Sequence, residues 1–489
     1  MLRIARPSFG RSQPDTIFKF MKIKLLIFGI MTFISNSSIG KECDCRKIFL
    51  TVKSHIETNY AGFQDKVNKE TYKVYDAWND LIWKKTGHNF EKAAYCIYFI
   101  LEWMTFFKDR HLQIRSTLNP SDTTESVAEE IIFLTADELG YLKTSRKVEG
   151  IYIDKENTTK IAVIKRPNSF RTHVGLVLET TSTKWKPGQI ILEIRPDPLS
   201  LNKFEGIRYA NNRTPRKVAY SLGIKTLGED WMRYNDSQKG QRVFLSPQNV
   251  IQSKMLDDDI LYVKIGSFNQ IYASEIASVF NEQNTLLNSV SNLIIDLRGN
   301  SGGADFSYEP ILPYIYTQPM TVVGADIYAT EANIRGWKEL LDMRDIPDDE
   351  KADIAAYVKG MTENIGGFLP LIEDEVISFA SKKLFPKKVI LLIDEGCAST
   401  SEQFILTAKE SKKVILMGNH TSGVLDYANM RAHNIDGTDY RLFYATSRSR
   451  RIDLSQGIDN KGIVPDVLLS KEEEWVRQSI LYLKEMRID

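Results

Sequence analysis

Five consecutive apolar residues, Val389 to Ile393 (VILLI), end at Asp394. A short unbroken run of this kind reads as a strand buried on both faces. Beyond it Phe404, Ile405 and Ala408 recur at helical spacing, so the chain is expected to turn from strand to helix around Gly396–Glu402, GCASTSE. Further strands are expected at ILYVKIG from Ile260, NLIIDLR from Asn292 and VILMG from Val414, with a helix near Ser274 to Leu287. This alternation predicts an α/β layer over a largely buried sheet. A polar, helical stretch from about Asn333 to Asn364 reads as an insertion, and strands near Tyr440 and a final helix close the chain.

The earlier part has a different texture. From Arg46 to Lys108 three amphipathic runs, Ile48 to Ile56, Tyr72 to Ile82 and Phe90 to Met104, predict a small helical cap. It ends at Asp109, Arg110 and His111, after which Leu112 and Ile114 alternate with polar residues as in a short strand. From Val127 to Val243 short apolar runs broken by Gly, Asn and Pro (EGIYID, KIAVIK, VGLVLE, QIILEI) predict a small β-rich domain, a sandwich or a small barrel. Pro187 and Gly188 before QIILEI keep a PDZ domain as a minority alternative. The expected division is 1–40, a signal-peptide region; 41–118, the cap carrying His111; 119–248, the β-rich domain; and 249–489, the α/β domain.

At 489 residues, 43% hydrophobic and 26% charged, the chain can bury two or three cores. Its 64 basic residues nearly balance 63 acidic ones, which argues against a nucleic-acid partner. Lys22 and Lys24 precede the apolar run Leu25 to Ile34, and the small residues SNSSIG follow. That layout predicts a secretory signal, cleaved after Gly40, with Met21 as an alternative start. The run is too short for a comfortable membrane span, so no integral span is expected in the mature form. Gly40, Lys41 and Glu42 before Cys43 argue against lipidation there. In an exported chain Cys96 could pair with Cys43 or Cys45. No C-x-x-C pair or H-E-x-x-H helix supports zinc, and neither a metal nor an organic cofactor is expected.

Ser399 would lie at the first turn of the helix, where unpaired N–H groups and the helix dipole favour an oxyanion. The same Ser399 and Glu402 also form an S-x-x-E capping box, which requires no chemistry. Cys397, two residues earlier, reads as a small apolar filler under the turn. A serine needs a base, and a reacting carbonyl needs donors aimed at its oxygen. Three segments offer them. His111 sits at a helix-to-strand junction, the glycines of Asp296–Gly303 (DLRGNSGG) can present backbone N–H groups, and Asp459 in GIDNKGIVPD could hold a histidine Nδ1–H. Taken singly, each also has a structural reading: a surface histidine, a strand exit, a turn aspartate.

The order DRH, DLRGNSGG, DEGCASTSEQF, GNHTSG, GIDNKGIVPD resembles the tail-specific, or C-terminal-processing, family of serine peptidases, in particular its tricorn-like branch. The resemblance is strongest from about 250 to 470, weaker over the cap and hardly present from 125 to 245. It implies a crotonase-like or ClpP-like layered core, with Ser399 as nucleophile and an oxyanion hole formed by the amide of Thr400 and one from Ser301 or Gly302. Ser301 stands where the family has glycine. Better-known members take their base from a lysine in a GKG segment; here that position, 25 residues after Ser399, is Val424. Lys409, Lys412 and Lys413 fall on or after the helix and would point away. The tricorn-like pattern instead implies His111 as base and Asp459 as its orienter. His420 and Asp426 flank the former lysine position and are candidates to line the cleft. The implied activity is an exported serine peptidase acting on peptide or unfolded-protein segments. A non-catalytic peptide-binding module and an esterase are the alternatives.

Overall fold

The computed structural model describes residues 43–118, 130–234, 250–343, 346, 348–470 and 473–486. The signal-peptide region expected at 1–40 lies outside them.

A six-stranded sheet runs in the order Ile251–Asp257, Ile260–Ile265, Asn292–Asp296, Lys388–Ile393, Val414–Gly418, Val467–Leu468. Its first pair is antiparallel and the remaining four pairings are parallel. Successive side chains of a strand point to opposite faces, which explains why these runs are apolar throughout. Val263, Ile295, Leu391 and Ile393 pack on one face with Ile276, Phe280, Phe404 and Ile405 from the helices Ala273–Glu282 and Thr400–Lys409. Ile260, Ile294, Ile390 and Leu392 pack on the other with Trp475 and Leu483 of the final helix, Trp475–Glu485.

A second sheet draws on distant parts of the chain. Gln113–Ser116 pairs with Tyr440–Phe443 of the strand Tyr440–Ser449, whose far end pairs with Ala325–Tyr328. Tyr427–Ile435 lies antiparallel along Tyr440–Ser449, and Phe368–Ile372 forms the edge beyond Ala325–Tyr328. Between those last two strands are helices Glu331–Leu341 and Asp348–Glu363, with their own core of Ile334, Trp337, Ile354, Val358 and Met361.

The helices Cys45–Asn59, Tyr72–Lys85 and Ala93–Met104 bury Phe49, Val52, Tyr75, Ile97 and Trp103 against Tyr427, Leu442 and Tyr444 of the second sheet. A disulfide joins Cys45 to Cys96, and Cys43 and Cys397 are free thiols. The middle of the chain forms an eight-stranded antiparallel sheet between Gly150 and Arg233. Its two end strands, Pro215–Ser221 and Thr226–Leu227, meet through a bridge from Leu222 to Leu227. Glu193 in this sheet is fully buried and ties it to the cap: it pairs with Arg171 at 2.6 Å and accepts from Lys92 at 3.0 Å and the Tyr95 hydroxyl at 2.5 Å.

Candidate active site

The site grows from the carboxyl ends of two adjacent parallel strands, Asn292–Asp296 and Lys388–Ile393, the end of an α/β sheet where ligands characteristically bind. After Ile393 the chain turns sharply. Asp394 Oδ1 accepts the amides of Gly396 at 3.0 Å and of Gly299 at 2.9 Å, coupling the two loops. Ala398 N–H donates to Asn300 O at 3.1 Å, and Thr400 Oγ1 donates to Gly303 O at 3.0 Å. Asn300 is fully buried and anchored by its Nδ2 on Ile265 O at 3.0 Å.

Ser399 occupies φ 54°, ψ −125°, a conformation that side-chain-bearing residues rarely adopt. Strain of this kind presents a hydroxyl at the tip of a strand-to-helix elbow. The surroundings hold it there. Ser399 N–H donates to Val424 O at 2.9 Å and toward Glu402 Oε2 at 3.2 Å. Glu402, fully buried, also accepts Thr421 Oγ1 at 2.5 Å, Gly423 N–H at 2.6 Å and Val424 N–H at 2.7 Å. It caps the helix, as its spacing from Ser399 predicts, and fastens the 421–424 loop to the serine turn as well. Burial pushes its pKa up, and these donors oppose that shift.

The glycine loop packs directly on the serine. A Cβ on Gly302, whose φ is +95°, would stand 2.6 Å from Ala398 O and 3.0 Å from Thr400 N. Only glycine fits there. Gly302 N–H donates to Asn300 Oδ1 at 2.9 Å, so of the two loop amides named from sequence Gly302's is already engaged. Thr400 N–H belongs to the helix's first turn, where amides lack intrahelical acceptors.

His111 lies in the turn between the cap and the strand Gln113–Ser116. Arg110, beside it, hydrogen-bonds through Nη1 to Ser422 Oγ, and Ser422 N–H donates to Cys397 O at 2.8 Å. The turn is thereby tied to the loop that holds Ser399. Among the described residues no hydrogen bond joins the His111 ring to Ser399. The nearest carboxylate is Asp109, whose Oδ1 lies 3.7 Å from His111 Nδ1, and the Tyr427 backbone also faces the ring. Burial lowers the imidazole pKa, with Asp109 and Tyr427 opposing.

Asp459 braces the loops behind this turn. Its Oδ1 accepts Asp426 N–H at 3.1 Å and Leu425 N–H at 3.3 Å, while Asp426 Oδ2 accepts the amides of Asp459 at 2.8 Å and Ile458 at 2.6 Å. Lys66 Nζ stands 3.6 Å from Asp459 Oδ2. Burial, then the neighbouring charges of Asp109 and Asp426, push Asp459 up to about 7 against the pull of Lys66. His420 is exposed, its Nδ1 2.9 Å from Thr421 O. Ser301 is exposed on the loop. Cys397 is fully buried, its thiol donating to Leu297 O at 3.1 Å and pushed up in pKa by burial, which keeps it from being a thiolate. Tyr60 and Lys66, both from the cap, went unnoticed in the sequence; nothing in their local spacing marks them.

The model of peptidase family S41 matches residues 259–469. No curated protein matches the sequence. Among solved structures, a protein from Parabacteroides merdae is similar at 17% identity and a TM-score of 0.33, over 48% of this chain and 64% of that one. Mature CPAF complexed with lactacystin is similar at 12% identity and a TM-score of 0.49, over 91% and 97%. The photosystem II D1 C-terminal processing protease is similar at 14% identity and a TM-score of 0.35, over 88% and 94%. The matched segment contains the glycine loop, Ser399, Glu402, Val424 and Asp459, though not His111. Over residues 259–469, less than half of its length, the chain is thus similar to peptidase family S41.

Proposed function

We propose that this chain is an exported serine peptidase that cleaves extended peptide or unfolded-protein segments through an acyl-enzyme. Ser399 Oγ bonds the scissile carbonyl carbon while His111 takes its proton; the imidazolium returns that proton to the leaving amine. Water then attacks the ester by the same route in reverse. Thr400 N–H and a loop amide, with Ser301 the less committed, receive the oxyanion. Asp459 is the late carboxylate to which the sequence pattern gives the orienting role. His420 and Asp426 border the cleft. The fold reading that goes with this function is a crotonase-like core at 249–489, a cap at 41–118 and a β-rich domain at 119–248. Export rests on the signal-like segment within 1–40. Among the described residues no helix is long and apolar enough to cross a membrane.

The observation that carries the reading is the strained Ser399 elbow, clamped between a glycine loop and the Glu402-bound loop within the segment that matches S41. An assay on unstructured peptides with Ser399→Ala and His111→Ala tests it. Both variants should fold and lose at least about 10³-fold in kcat/KM. Full activity in Ser399→Ala would refute the assignment, and absent activity in the parent chain would favour a peptide-binding module. Hydrolysis of esters alone would favour an esterase.

A further inference from the structure

The carboxylate beside the His111 ring comes from its own turn. Asp109 has a fully buried side chain, and both of its oxygens are engaged. Oδ2 accepts the Tyr60 hydroxyl at 2.6 Å, and Oδ1 accepts the His111 backbone amide at 2.7 Å. The same Oδ1 lies 3.7 Å from His111 Nδ1, which is buried and without a hydrogen-bond partner. A buried ring nitrogen with no partner costs free energy, and Asp109 is a carboxylate acceptor placed to relieve it. A shift of under about 1 Å would bring the pair into hydrogen-bond range.

The opposing carboxylate is held elsewhere. Asp459 Oδ1 is taken by two backbone amides and its Oδ2 faces Lys66, with no contact to the His111 ring within ion-pair range. Tyr60 is fully buried at the end of the helix Cys45–Asn59, its ring packed on Phe107 and Tyr427. It is therefore a rigid post. A carboxylate fixed by such a post can hold one imidazole tautomer, with the proton on Nδ1 and the lone pair on Nε2.

We propose that Asp109, fixed by Tyr60, is a positioning residue that accepts His111 Nδ1–H and so leaves Nε2 free to receive the Ser399 proton. The inference rests on the reading of His111 as the base at Ser399. It assigns to a cap residue two positions before the histidine the orienting task that the sequence pattern gives to Asp459.

The test compares Asp109→Asn, Asp459→Asn and Tyr60→Phe in the full chain, measuring kcat, KM and the acid limb of kcat/KM. Asp109→Asn should lower kcat by about 10²–10⁴-fold with KM within about threefold. It should also move the acid limb to lower pH, because a neutral amide no longer stabilises the imidazolium; the Tyr427 backbone, which also faces the ring, stays as it was. Tyr60→Phe keeps the carboxylate but releases it, and should cost about tenfold in kcat. If Asp109→Asn does not fold, the Tyr60→Phe loss decides, and parental kcat in that variant overturns the proposal. An acid limb moved by Asp459→Asn and not by Asp109→Asn also overturns it. Parental activity in Ser399→Ala or His111→Ala would instead remove the underlying reading, so the two failures are distinguishable.

Discussion

Glu402 accepts the Val424 amide at 2.7 Å, and Val424 in turn accepts the Ser399 amide at 2.9 Å. Val424, at the position where the family resemblance would put a lysine, thus serves through its backbone. Its side chain is almost wholly buried. The consequence is that a single carboxylate sets both the strained serine and the loop across from it. Glu402→Gln keeps the size but replaces one acceptor oxygen by an N–H₂ group facing backbone donors. We expect it to lose about 2–3 kcal/mol of stability and at least tenfold in kcat. Chemical denaturation and steady-state kinetics check this; a variant as stable and active as the parent contradicts it.

How much of this was legible beforehand differs residue by residue. The strand-turn-helix at Ser399 could be read because an unbroken apolar run meets a helical repeat, both local signals. Glu402 could be read as a cap, three residues from Ser399, but its grip on 421–424 is tertiary and leaves no mark in local spacing. The same holds for Tyr60 and Asp109, which lie 49 positions apart. Strands Ala325–Tyr328 and Phe368–Ile372 were not anticipated. Pro370 sits inside the second, a residue tolerated there because that strand is a sheet edge, and it hides the strand in the sequence. The cysteine pairing was open between Cys43 and Cys45 because they are two residues apart; the buried position of Cys45 on the first helix selects it.

Gly302 leaves no room for a side chain. Gly302→Ala would drive a methyl group onto Ala398 O and force a non-glycine residue to φ +95°. We expect a loss of about 2 kcal/mol or more, together with loss of activity, because the only escape is to move the loop away from Ser399. Thermal melting and peptide hydrolysis report the two effects; a fully active alanine variant would show that the loop does not shape the oxyanion site.

Asp459 makes a prediction about pH and stability. Its pKa in the fold is raised to about 7, so the folded state binds more protons than the unfolded chain between the ordinary carboxylate range and that value. The stabilisation this gives is complete at low pH and is lost as pH rises through about 7. Asp459→Asn is neutral at every pH. Relative to the parent it should become more stable between pH 4 and pH 8 by roughly 2–4 kcal/mol. Denaturation curves for both proteins at several pH values check this, and parallel stability profiles contradict it.

His111 makes the corresponding prediction for activity. A general base works in its unprotonated form, and burial holds this imidazole below its ordinary pKa. The acid limb of kcat/KM should accordingly fall below about pH 6.5. A limb centred above pH 7 would mean that another group is the base.

Fluorophosphonate labelling read by peptide mass spectrometry tests the central claim most directly. The account predicts a single adduct on Ser399 in the parent chain, none in Ser399→Ala, and strongly slowed labelling in His111→Ala with the fold intact. An adduct on another residue, or labelling of Ser399 at the parental rate when His111 is replaced, would contradict it.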